Sequence, residues 1–192
     1  MFELSSELAK RLRHDFRGEP TSSIYRLHRR RGFEVSFLAD RWVGIVVSGK
    51  QATLVDAEVV DGQPPRLQND LHMKLQSGDR AEALAVMSQQ ITNYLRENGI
   101  ERVVVKGSSA GKTAMKLSHL ESAELRGVVI SSAASVCDTS IKKTGVISRT
   151  YGSRKANEYI EDDEHWNTHF DGDALKKGSR EAALLLLAER ED

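Results

Sequence analysis

The sequence is short of three things. It has one cysteine, Cys137, among 192 residues. That excludes an internal disulfide and any cysteine-rich zinc site, and it suits a reducing cytoplasm. It has no long apolar run. The longest, Ala182 to Ala188, falls far short of the roughly 20 residues that a membrane-spanning helix needs, so no membrane role is expected. The start, MFELSSELAKRLRHDF, lacks a basic segment followed by an apolar one, so no secretory signal is visible. It also lacks net charge, with 28 basic and 28 acidic residues. Strongly nucleic-acid-binding domains are usually basic overall, so the total argues mildly against that role.

The charge is unevenly placed, however. Residues 1–31 carry eight Lys/Arg against four acids, and Arg29, Arg30 and Arg31 are consecutive. Guanidinium groups pair well with phosphate, so this arm is a candidate contact for nucleic acid or an acidic protein partner. The blander reading is a solvated loop, or a strand edge kept soluble by charge.

Residues 3–17 read as an amphipathic helix, with Leu4, Leu8, Leu12 and Phe16 on one face, stopped by Gly18 and Pro20. Phe33, Val35 and Phe37 alternate and suggest a strand entering the main domain. Arg41 to Ser48 and Gln51 to Val60, separated by Gly49-Lys50, predict a hairpin. Arg66 to Gln76 predicts a third strand. Ser77 is the expected cap of a helix over Gly78 to Asn98, with a stripe of Leu84, Met87, Ile91, Tyr94 and Leu95. Val103 to Val105 reads as a buried parallel strand, Thr113 to Leu125 as a helix, and Val128 to Ile130 as a last short strand. Ala134 to Thr150 has no clean period and reads as a connection. Arg154 to Glu164 and Gly178 to Glu191 read as helices, the last capped by Ser179. There is no internal repeat. The expected division is residues 1–40 as a basic helix and arm, and 41–192 as one domain. That domain is α/β: a mixed sheet of three antiparallel strands followed by parallel ones, with helices on its faces.

The stretch ERVVVKGSSAGKT, Glu101 to Thr113, looks like a nucleotide-binding loop. The phosphate-cradling consensus is G-x-x-x-x-G-K-[ST]; Gly107 to Thr113 is one residue short. No later strand offers a magnesium-binding acid, and more than a hundred residues precede the loop. The reading adopted is a strand-to-helix turn, with phosphate binding by Lys112 and Thr113 kept as an alternative.

Three stretches carry a resemblance: Val43 to Ala52, Val103 to Lys116, and Gly172 to Lys177 leading into the final helix. With the element order, they make residues 41–190 resemble the ribonuclease-H-like fold of Holliday-junction resolvases and many nucleases. The chain is similar to a little-characterised bacterial group with that fold. The resemblance implies two-metal phosphodiester hydrolysis in active members, with clustered carboxylates holding magnesium or manganese. It places an acid inside the first strand, where this chain has Val46. It places another at the end of the fourth strand, where Lys106-Gly107 stands. It places a third near the final helix, where Asp171, Asp173 and Glu181 are available.

The primary reading is therefore a cytoplasmic ribonuclease-H-like domain without catalysis, a binding or assembly module with no cofactor. The alternative is a magnesium- or manganese-dependent nuclease with relocated acids, for which Asp56 and Glu58 join Asp171, Asp173 and Glu181. Two lesser signals are His165 and His169, spaced to share a metal on a helix, and Cys137 with His119. Neither rises above a polar loop and a chance pairing. Self-association is left open.

Overall fold

In the computed structural model, residues 39–108 and 116–191 are described. The expected N-terminal helix, the strand from Phe33, the triple arginine, and Lys112 with Thr113 lie outside them. All described elements belong to the unit of residues 37–192.

The chain opens with the predicted hairpin. Strand β1 (Asp40–Ser48) pairs antiparallel with β2 (Gln51–Val59), Ser48 facing Gln51 across the turn. Gly49 takes φ 59°, a value that mirror-image hairpin turns require and glycine supplies without strain. Strand β3 (Arg66–Lys74) pairs antiparallel with β2, with a bulge between Asp56 and Ala57 that passes over Gln68. Helix α1 (Arg80–Glu97) crosses over to β4 (Arg102–Lys106), which lies parallel to β1. Its cap is Asp79, whose side chain accepts from Glu82 N–H at 3.0 Å, rather than the expected Ser77.

Helix α2 runs Leu117–Ala134 and therefore absorbs Val128 to Ile130, which is not a strand. The last strand is β5 (Asp138–Lys142), parallel to β4, inside the stretch read as a connection. Both differences have one cause. Leu125, Val129, Ser132 and Ala133 are the buried positions of α2, so helical period outweighs the β-branched run. β5 is an edge strand with one buried side chain, Lys142, and so carries no apolar alternation. Three short helices follow: α3 (Thr144–Thr150), α4 (Ala156–Glu161) and α5 (Asp163–His169). A 3-10 turn (Lys177–Ser179) leads into α6 (Arg180–Arg190).

The five strands run in the order β3-β2-β1-β4-β5, which is the ribonuclease-H-like mixed sheet expected. Helices cover both faces. Val43, Ile45 and Val47 of β1 pack with Met87, Ile91 and Leu95 of α1 and with Leu125 and Val129 of α2. Val46 and Val104 face the other way and pack with α6 and the aromatic cluster of α3–α5. Leu184, Leu185 and Leu186 are all 0% exposed. Consecutive residues cover every side of a helix, so α6 is enclosed between the sheet and α3–α5. Each such leucine contributes about 1.5–3 kcal/mol by burial. α6 lies directly on the strand: a Cβ on Gly44 would collide with the carbonyl of Ala182. No described helix is long and apolar enough to cross a membrane.

Candidate functional site

The alternation of β1 decides which residues can share a site. Because Val46 points toward α6, so do its cross-strand neighbours. Val46 pairs with Thr53, and Thr53 with His72. The β1–β4 register sets Gly44 against Val104; one step along that side brings Lys106 beside Val46. Lys106 in turn pairs with Lys142. One row across the sheet therefore reads His72, Thr53, Val46, Lys106, Lys142, with the start of α6 above it.

Three polar arrangements occupy this face. Lys106 Nζ meets Glu181 Oε1 at 2.6 Å, each side chain about a quarter exposed. On the other side of Val46, Ser179 Oγ donates to Asp70 Oδ1 at 2.5 Å. His72 Nδ1 lies 3.1 Å from Thr53 Oγ1 and 3.2 Å from Gln51 Nε2. His72 Nε2 stands 3.8 Å from Asp70 Oδ1. Further along, Lys142 Nζ meets Glu189 at 3.0 Å, which also accepts from Ser140 Oγ at 3.1 Å.

The candidate acids are not gathered here. Asp56 lies on the opposite face, fully buried, accepting from Arg41 Nε at 3.0 Å, Arg41 Nη2 at 2.6 Å and Tyr94 Oη at 2.6 Å. Burial first, and then the bond to Asp56, raise the Tyr94 pKa well above the ordinary phenol value. Asp171 is exposed and tied by its backbone to β3, accepting from Leu67 N–H at 2.8 Å and donating to Pro65 C=O at 2.9 Å. Asp173 is exposed in the same segment. Glu58, also on β2, accepts from Gln68 Nε2 at 3.1 Å. Of the five candidates only Glu181 reaches the row, and it meets a lysine. Asp70, His72 and Ser179 were missed because β3 and the start of α6 stand 109 residues apart in sequence. The one legible trace was the spacing of Asp70 and His72, which puts both on the same side of a strand.

His165 and His169 share helix α5, with rings stacked at 4.2 Å. His169 Nδ1 sits 2.9 Å from His165 C=O, and His165 Nε2 lies 3.1 Å from Tyr151 Oη. Burial, then the neighbouring His169 and Arg154, lower the His165 pKa to about 4. Among the described residues no group of three or more His, Cys, Asp and Glu is arranged to hold a metal. Cys137 follows the end of α2 and His119 lies in its first turn, so about 1.5 Å per residue separates them by roughly 27 Å.

No protein-family model matches the sequence, and no curated protein sequence is significantly similar to it. Solved structures do match. Thermus thermophilus RuvC in complex with a Holliday junction substrate superposes with a TM-score of 0.61 at 12% identity, over 78% of this chain and 92% of that one. A second structure of Thermus thermophilus RuvC gives 0.59 at 12% identity, over 78% and 93%. The yeast mitochondrial Holliday junction resolvase Ydc2 gives 0.51 at 14% identity, over 78% and 77%. At these identities the likeness is one of fold.

Proposed function

We propose that this chain is a ribonuclease-H-like binding or assembly module in which the catalytic face carries no metal centre. The observation that carries the reading is the Lys106–Glu181 ion pair beside Val46. Where the fold resemblance expects three carboxylates, the chain presents a valine, a lysine and one carboxylate held by that lysine. A valine donates no ligand, and an ammonium group repels a divalent cation. The partner is nucleic acid or an acidic protein surface, with Arg29, Arg30 and Arg31 as contacts. A four-way DNA junction is the first probe because of the structural likeness to Holliday junction resolvases.

The test is binding and cleavage measured side by side. The module binds the junction, or another nucleic acid or acidic protein, equally well in EDTA and in magnesium, cuts nothing, and loses affinity when Arg29, Arg30 and Arg31 become alanine. Metal-dependent cleavage would overturn the reading. One observation favours that second outcome: Asp70 and Glu181 are both carboxylates on the α6 face. A nuclease built on them would stop cutting in Asp70→Asn and Glu181→Gln while remaining folded.

A further inference from the structure

Arg126, on α2, is a partly buried arginine that no described carboxylate meets. Arg41, Arg80, Arg102, Arg154 and Arg180 each meet a carboxylate within 3.0 Å or less. Arg126 meets none among the described residues. Its Nη1 donates to Ser108 Oγ at 2.5 Å and its Nη2 to Val47 C=O at 3.4 Å. Its Nε is buried without a partner. Burial lowers its pKa, and no described acid offsets the effect. A half-buried cation with no described counter-ion is costly to keep.

Its position gives that cost a purpose. Ser108 follows the end of β4 and Val47 stands near the end of β1, and ligands of open α/β sheets bind outside the carboxyl ends of the strands. Two more cations flank it. Lys50 lies in the β1–β2 turn, beside Gly49, whose carbonyl accepts from Ser122 Oγ one turn of α2 away at 3.5 Å. Lys143 follows β5, and its Cγ would lie 3.2 Å from a Cβ placed on Gly107. Lys50, Arg126 and Lys143 thus cross the ends of β1, β4 and β5, and no described carboxylate pairs with any of them. The opposite ends of the same strands carry Asp40, Glu101 and Asp138, with Arg102 paired to Asp138 at 3.0 Å. Glu101 has its pKa raised by burial and by Asp40.

We propose that Arg126, with Ser108 and the flanking Lys50 and Lys143, is a phosphate-binding site whose ligand is the phosphodiester backbone of nucleic acid. A row of cations crossing three strand ends matches a polymer that repeats one negative charge per unit. The site lies on the α2 side of the sheet, away from the α6 face. The nucleic-acid half of this inference rests on the binding-module reading above; the phosphate half stands without it.

The experiment titrates the full chain, in EDTA, with a labelled single-stranded oligonucleotide, with inorganic tripolyphosphate and with a poly-glutamate peptide. Arg126→Gln weakens oligonucleotide binding about tenfold and lowers the salt dependence by about one counterion. Arg126→Lys recovers part of the affinity. Lys50→Ala and Lys143→Ala, exposed and harmless to folding, each weaken binding several-fold. If these variants bind as the parent does while the triple-arginine variant does not, the site is wrong and the module reading survives. If tripolyphosphate binds through Arg126 and the oligonucleotide does not bind, the site survives and its nucleic-acid ligand falls. If poly-glutamate competes as well as tripolyphosphate, the phosphate assignment is overturned. If none of the three binds, the site and its ligand both fall.

Discussion

Replacing Asp56 by asparagine separates a structural acid from a working one. Asp56 is fully buried, and its partner Arg41 keeps 30% of its side chain exposed. Three donors converge on the carboxylate, two from Arg41 and one from Tyr94. Hydrogen bonds to a charged group are worth about 1.5–3 kcal/mol each. Asparagine keeps one accepting oxygen, and the two arginine bonds at the solvent edge are discounted for screening. The net loss is about 3 kcal/mol, at the low end for breaking one side of a buried ion pair. For a chain of this length that lowers Tm by roughly 6–12 °C. Urea denaturation gives the free energy. A double-mutant cycle with Tyr94→Phe gives coupling of the two residues. Ultraviolet titration of the phenol gives a third signature, because Tyr94 ionises more easily once the carboxylate charge is gone. A loss below about 0.5 kcal/mol, or a folded Asp56→Asn that has lost a metal-dependent activity, would refute the reasoning and return Asp56 to the list of catalytic acids.

Gly44→Ala places a methyl group against the Ala182 carbonyl and destabilises by about 1–3 kcal/mol or more, read by thermal denaturation; an unchanged Tm would mean that α6 can lift off the strand. The double substitution Val46→Asp with Lys106→Glu puts two acids beside Glu181, so the variant is less stable alone and gains Tm on adding manganese, whereas the parent does not respond; no gain in the variant would show that the row cannot hold a metal even when given the acids. His165 is held neutral, with its pKa lowered to about 4. Below the unfolded value of about 6.5 the unfolded chain takes up a proton that the folded chain refuses. Stability is therefore unaffected above pH 7 and falls between roughly pH 6.5 and 4. At pH 5 the loss is at most about 2 kcal/mol and nearer 1 after screening. His165→Gln removes this slope in urea melts, and a slope that persists assigns it to another group.

What could be read from the sequence was whatever local period and turn chemistry determine. The Gly49-Lys50 hairpin, the Met87–Ile91–Leu95 stripe and the apolar Val103 to Val105 strand all announce themselves within a short window. Val128 to Ile130 misled because three β-branched residues resemble a strand when the flanking Leu125 and Ala133 are not counted with them. β5 was illegible because an edge strand buries too little to show alternation. The row across the sheet divides the same way. Val46 and Lys106 were named through the family resemblance, and Glu181 as one of three acids it made available. Asp70 and Ser179 meet only because β3 and α6 fold onto each other. Asp56 shows the converse: a carboxylate in a strand reads as chemistry, and the sequence does not reveal that Arg41 and Tyr94 converge on it.

Most helices rest on a sheet through a cushion of side chains, which can repack as the helix shifts. At Gly44 that cushion is missing, and the backbone of α6 bears on the backbone of β1. The contact acts as a fulcrum. Glu181 is one residue from it, so the lever arm that carries the carboxylate toward Lys106 is very short. The far end of α6 is held as well, where Glu189 meets Lys142, Ser140 and Arg102, so anything that engages the row beside Val46 meets a preset surface.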